Sequence, residues 1–120
     1  MARILLVEDT PANRVLATKL LRAAGHDVLT AGTGAEGVAL AREHPFDLVL
    51  MDLGLPDMDG RQAMTQIRAL HTAGDLPIVA FTAHAMVGDR ERSLSAGFSG
   101  YLSKPIDVAT FVDLVGEMVP

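Results

Sequence analysis

The stretch DLVLMDLGLPDMDG, Asp47–Gly60, decides how the chain folds. Leu48–Met51 is an unbroken apolar run, too short for a helix and suited to a strand buried on both faces. Asp52 follows at once, and Gly54 and Pro56 then turn the chain away. A carboxylate set at the end of a fully buried strand is costly to place there, so its position asks for a reason.

Working outward, the same grammar recurs. Arg3–Val7 (RILLV), Asp27–Ala31 (DVLTA), Asp47–Met51 (DLVLM), Pro77–Phe81 (PIVAF) and Gly100–Ser103 (GYLS) read as strands. Helix-length segments separate them. Thr10 as N-cap and Pro11 at the first helical position open the first, with Leu16, Leu20 and Ala24 facing inward and Gly25 stopping it. The second spans Ala35–Glu43 and ends before Pro45, and the third spans Gly60–Leu70 with Met64, Ile67 and Leu70 inward. The fourth covers Met86–Ser95. The last is capped by Asp107 and carries Val108, Phe111, Val112, Val115 and Val119 on one stripe, leaving Leu114 off it. Alternating strands and helices of these lengths predict a doubly wound α/β sandwich, a parallel sheet with helices on both faces.

Composition narrows the function. The 120 residues suit a single domain over the whole chain, 1–120, and 49% hydrophobic residues can fill a core. No apolar run approaches the ~20 residues that span a membrane. The N-terminus lacks secretory signal architecture, so the chain is read as soluble and cytoplasmic. With no cysteine, thiolate chemistry and disulfides are excluded, and His26, His44, His71 and His84 show no metal-ligand spacing. A net charge of −5, no tryptophan and a single local basic cluster, Arg90 and Arg92 interleaved with Asp89 and Glu91, argue against nucleic acid as a direct partner.

In doubly wound sheets, ligands sit beyond the carboxyl ends of the strands at the topological switch point. There the sequence places Glu8-Asp9 after strand one, Asp52 after strand three, Thr82-Ala83 after strand four and Lys104-Pro105 after strand five. Any one of these alone is a loop cap or a surface residue. Together they are a pocket. Carboxylates crowded in this way repel unless they take up protons or hold a cation, and an all-oxygen site with few protein ligands suits Mg²⁺. A carboxylate beside a metal, an ammonium and a hydroxyl can act as nucleophile in phosphoryl transfer, and rigidly held Asp52 is the best candidate.

The pieces ILLVEDTPANR, DLVLMDLGLPDMDG, PIVAFTAHAM and GYLSKPI carry a resemblance that runs from Arg3 to Val119. The chain resembles the receiver domain of bacterial two-component response regulators. That likeness implies a flavodoxin-like sheet of order 2-1-3-4-5 and Asp52 as phosphoacceptor. It also implies Mg²⁺ held by Asp9, Asp52 and the Gly54 carbonyl, with Glu8 acting through water. Thr82 and Lys104 would bind the phosphoryl group, small Ala83 would leave the acceptor accessible, and the Lys104–Pro105 peptide would be cis. Thr82 and Tyr101 would form a switch that alters the face of helix four, strand five and helix five, to which exposed Leu114 would contribute. Gly54 and His84 match positions that tune phosphoryl lifetime. The donor would be a sensor histidine kinase or a histidine phosphotransfer protein, and the reader a downstream protein target.

Two other readings are carried. Gly32–Gly37 matches G-x-G-x-x-G, a dinucleotide fingerprint, but it follows the second strand; Glu8 and Asp9 hold the place where a pyrophosphate belongs. Those glycines are read instead as a loose connection and a weak helix start. An aspartyl phosphatase or mutase wants a second carboxylate two residues after the nucleophile, and Gly54 stands there. Self-phosphorylation followed by slow hydrolysis is therefore expected rather than turnover. The receiver could serve as a stand-alone regulator, as a phosphorelay shuttle or inside a hybrid kinase; the opening at Met1 favours a complete small protein.

Overall fold

The structure, a computed structural model, describes residues 2–70, 76–82, 88–104 and 107–119. Its elements run β1 (Arg3–Val7), α1 (Pro11–Ala23), β2 (Asp27–Ala31), α2 (Gly34–Glu43), β3 (Leu48–Met51), α3 (Gly60–Leu70), β4 (Ile78–Thr82), α4 (Asp89–Ala96), β5 (Gly100–Ser103) and α5 (Val108–Met118). The strands form one sheet of order β2-β1-β3-β4-β5, as the resemblance implied, with every neighbouring pair parallel. The three central strands are the apolar ones and are buried almost throughout, whereas edge strands β2 and β5 are only partly buried.

Because side chains alternate across a strand, the sheet separates two cores. Leu5, Val7, Val49, Met51, Ile78 and Ala80 point to the side covered by α2 and α3, where Val38, Ala41, Met64 and Ile67 meet them. Ile4, Leu6, Leu48, Leu50, Val79 and Phe81 point to the other, where Ala17 and Leu21 of α1 and Phe111 and Val115 of α5 pack. No helix among the described residues is long and apolar enough to cross a membrane.

The helices depart from expectation in phase rather than in place. Leu16 is 37% exposed and Ala24 is also exposed, while Ala17 and Leu21 are buried, so the inward stripe of α1 lies one residue further along. Leu70 and Val108 are exposed as well, because each sits at a helix end beyond the reach of the sheet. Within the described residues α4 begins at Asp89; Met86, its expected start, lies outside them. Caps hold as read for α5, where the Asp107 side chain accepts from Ala109 N–H. For α1, Thr10 is N-cap by backbone only and makes no side-chain cap bond.

Gly60 opens α3 where the chain returns against its own strand. A Cβ there would sit 2.3 Å from the Asp52 carbonyl oxygen and 2.8 Å from Leu53 Cα, both backbone atoms that cannot swing aside. Gly60→Ala is expected to cost about 1–3 kcal/mol, as overpacking does elsewhere. Urea unfolding checks this: the midpoint should fall with the slope unchanged, and an unshifted midpoint would show that the close approach is not needed.

Candidate functional site

The strand order reverses between β1 and β3, which opens a crevice at their carboxyl ends. Backbone bonds set the depth of its residues: Glu8 N–H donates to Ala31 O at 2.9 Å and Asp52 N–H to Val7 O at 2.9 Å. Alternation sets direction. Glu8 continues the Ile4–Leu6 face of β1, Asp52 the Leu48–Leu50 face of β3, and Lys104 the Leu102 face of β5. The three side chains accordingly meet.

Lys104 Nζ lies 3.1 Å from Asp52 Oδ2, contacts Glu8 Oε2, and sits 5.1 Å from the centre of the Phe81 ring beneath it. Glu8 is fully buried and Asp52 is 5% exposed. Glu8 Oε2 is satisfied by the charge of the Lys104 ammonium against it, while Glu8 Oε1 accepts from Thr10 N–H at 3.0 Å. Oδ1 of Asp52 accepts from Gly54 N–H at 3.0 Å. Both acceptor oxygens are therefore aimed, one by an amide and one by an ammonium.

Carboxylate oxygens of Glu8, Asp9 and Asp52 all lie within 4.8 Å of one another. Against these three charges stands the Lys104 ammonium, with the Arg14 guanidinium behind, donating to Glu8 O at 2.8 Å and Asp9 O at 3.2 Å. Negative charge is left over after both cations are counted. Hard oxygen donors with a surplus charge fit a small divalent cation, with Asp9, half-buried at the rim, left open to solvent.

Thr82 closes β4 fully buried, and Lys104 N–H donates to its carbonyl at 2.8 Å, tying the ends of β4 and β5 together. Ala80 pairs with Tyr101 and Thr82 with Ser103, so Thr82 and Tyr101 share the sheet face opposite Phe81 as diagonal neighbours. Tyr101 is half-buried, and burial together with nearby Asp89 raises its phenol above the ordinary value of 10.0. Leu114 is 38% exposed, off the inward stripe as expected. Ala83, His84 and Pro105, and with Pro105 the expected cis peptide, lie outside the described residues.

The Gly32–Gly37 segment is not loose. Thr33 Oγ1 caps α2 by accepting from Glu36 N–H, and Gly37 lets the helix close on Val7, where a Cβ would come within 2.7 Å of Cγ2. The carboxylate of Asp57 accepts from Gly34 N–H at 2.8 Å and Ala35 N–H at 2.9 Å. These backbone bonds, Ala35 first and then Gly34, hold Asp57 below the ordinary value of 3.8. The place where a nucleotide phosphate would need to sit is thus filled by the protein's own anion.

Arg14, Phe81 and Asp57 had not been singled out from sequence. Arg14 had a signal, a cation one helical turn beyond two acids. Asp57 had none, because its partners are backbone N–H groups 22 and 23 positions away.

Comparison with known proteins agrees with this geometry. The family model described as response regulator receiver domain matches residues 4–116. The signal transduction histidine-protein kinase BarA of Escherichia coli K12 is 43% identical over 104 residues, which are 87% of this chain and 11% of that kinase. The polar-differentiation response regulator DivK of Brucella abortus S19 is 37% identical over 112 residues, 93% of this chain and 91% of DivK. Among solved structures, the receiver domain of sensor histidine kinase PA1611 from Pseudomonas aeruginosa PAO1 superposes with a TM-score of 0.87 at 38% identity. It covers 98% of this chain and 96% of that one, and holds a magnesium ion in its active site cleft. Vibrio cholerae chemotaxis protein CheY4 superposes with a TM-score of 0.91 at 27% identity, covering 99% of each chain. A parallel sheet reversing at paired acids, matched along nearly its whole length by one family, leaves a single placement: the chain belongs to the response regulator receiver domain family of signalling domains.

Proposed function

We propose that this receiver takes a phosphoryl group from a phosphohistidine donor onto Asp52, with Mg²⁺ held at Glu8, Asp9 and Asp52, and changes a protein-binding face in response. The observation that carries this reading is the buried contact of Lys104 with both Glu8 and Asp52 beside a third carboxylate. An ammonium is buried there only where negative charge must be balanced, and a phosphoryl group brings more of it.

An electron pair on an Asp52 carboxylate oxygen forms the new O–P bond as the P–N bond of the donor breaks, and that bond's pair returns to the imidazole. Gly54 N–H and the Lys104 ammonium fix the attacking carboxylate in advance, which removes orientational entropy from the step. Lys104 then pairs with an equatorial phosphoryl oxygen, and the Thr82 hydroxyl donates to another. Asp9, Asp52 and the Gly54 carbonyl would hold Mg²⁺, with Glu8 acting through water, and the ion would supply positive charge for the developing phosphoryl oxygens. Movement of Thr82 toward the phosphoryl group frees space on the face it shares with Tyr101. Tyr101 turns inward, and the surface of α4, β5 and α5 that includes Leu114 is remodelled for a downstream protein. Gly54, two residues beyond the acceptor, offers no general base, so hydrolysis is slow and external turnover is not expected.

The donor is a sensor histidine kinase or a histidine phosphotransfer protein. The relatives carry such a domain in two settings, within BarA and as nearly all of DivK, and the same chemistry serves a stand-alone regulator, a shuttle or a hybrid-kinase receiver.

Intact mass after treatment with acetyl phosphate and Mg²⁺ should show one added phosphoryl per chain, absent with EDTA and absent in Asp52→Asn; full labelling of that variant would remove the assignment. Lys104→Ala should still bind Mg²⁺ but label roughly 100-fold more slowly, the usual cost of losing one stabilising donor. Because the variant leaves Glu8 and Asp52 without their ammonium, Mg²⁺ should raise its melting temperature more than that of wild type. Equal shifts in a thermal titration would show that Lys104 does not balance the cluster.

A further inference from the structure

Asp57 lies in the β3–α3 loop and plays no part in the chemistry above. Yet it makes two of the shortest side-chain bonds in that region, to the first two amides of α2. We propose that Asp57 is a positioning residue for cation binding: by clamping the β3–α3 loop to α2, it holds the Gly54 peptide, and through it the Asp52 carboxylate, in the geometry that takes Mg²⁺. This rests on the reading that the acid cluster holds that cation.

The loop from Leu53 to Asp59 is closed at its base. Gly54 bridges to Asp59, Gly60 N–H donates to Leu53 O at 3.1 Å, and Gly60 is pressed against the Asp52 carbonyl. Such a base fixes where the loop starts and ends but not how its tip is tilted. Leu55, buried in the core, holds the middle of the loop, and the tip beyond it is held by Asp57 and its neighbour. The carboxylate spans Gly34 and Ala35, while half-buried Met58 lies over Gly34, where a Cβ would meet its Cγ at 2.5 Å. The anchor is rigid, because α2 is locked to β1 through Gly37 on Val7 and to the core through Val38 and Ala41. At the other end the loop reaches the acceptor through Gly54 N–H, which donates to Asp52 Oδ1 at 3.0 Å. A shift of the tip is passed through Leu55 to the Gly54 backbone, whose N–H orients the nucleophile and whose carbonyl is the proposed ligand.

Coupling of this kind is reciprocal. If the clamp favours the cation-holding geometry, the cation must in turn favour the clamp, and the Gly34 and Ala35 amides should exchange more slowly in Mg²⁺. A residue that merely caps α2 has no such link.

The test is Mg²⁺ titration of the unphosphorylated protein, followed by amide chemical shifts, for wild type, Asp57→Ala, Asp57→Asn and Thr33→Ala. The last weakens the same helix end without touching the loop. Asp57→Ala should raise the Mg²⁺ Kd several-fold, less than the roughly 10–100-fold loss typical of a group bonded directly to a metal ligand. Asp57→Asn, which keeps one carbonyl acceptor, should recover part of it. Thr33→Ala should lower the melting temperature and leave Kd alone. If Asp57→Ala loses stability but binds Mg²⁺ as wild type does, Asp57 is only a cap and the proposal is overturned. Should the alanine variant not fold, Asp57→Asn and wild-type exchange at Gly34 and Ala35 decide: unchanged Kd and unchanged exchange count against the clamp. A wild-type protein that shows no Mg²⁺-dependent shifts at Asp9 or Asp52 overturns the cation reading itself, and the inference with it.

Discussion

Like charges held close together in a low-dielectric crevice are what the rest of this domain must accommodate. Glu8 is fully buried and Asp52 nearly so, with Asp9 alongside. Burying even one carboxylate is unfavourable unless it is paired and hydrogen-bonded. The fold meets that demand from several elements at once. The ammonium comes from the end of β5, amides come from Thr10 and Gly54, and a guanidinium from α1 holds the backbone carbonyls of the two β1 acids. Thr10, Arg14 and Gly54 stand close in sequence to the acids they serve, but Lys104 is 52 positions from Asp52, so the balance is complete only when the sheet is assembled. The site and the fold are the same construction seen at two scales.

Much of this was legible because a parallel sheet converts sequence position into spatial position by simple rules. The apolar runs at Ile4–Val7, Leu48–Met51 and Ile78–Phe81 marked central strands. Whatever followed each run had to lie on one edge, which is why acids, hydroxyl and ammonium could be assigned to one crevice before any coordinates. The alternation rule carries further: it explains why Lys104 meets Glu8 and Asp52 on the Phe81 side while Thr82 and Tyr101 share the other. Helix phase was less legible. Leu16 is as apolar as Leu21, and only contact with the sheet selects Ala17 and Leu21 for full burial, with Leu20 packed partly against the same core. Leu70 and Val108 follow helical spacing, but at helix ends the period continues after the sheet has stopped.

Most of the features that escaped the sequence, Phe81 apart, are side chains bonded largely to backbone. Asp57 on the amides of Gly34 and Ala35 is one case. Arg68, whose guanidinium donates to Gly97 O, Leu76 O and Ser99 Oγ, is another. Backbone groups are the same at every residue, so nothing in the partner's identity announces the bond. Motif reading finds pairs of distinctive side chains and is blind to this class. The G-x-G-x-x-G match failed for the complementary reason. Its glycines suited close packing and an occupied helix start, and a pattern cannot say that the anion waiting there is internal.

Placement of charge and placement of motion then divide along the sheet. On the Phe81 side, Lys104 is held by two carboxylates and an aromatic ring, and its amide is tied to Thr82 O, so that edge of the pocket is strongly determined. On the opposite side, Tyr101 is half-buried on an edge strand and α4 contributes only Ser93 to the buried set, with its hydroxyl unpartnered. A region with few buried apolar contacts is where conformational change costs least. The Lys104–Thr82 backbone bond lies where the two regions join, so a change proposed to begin at Asp52 has its least costly outlet at α4 and the edge of β5.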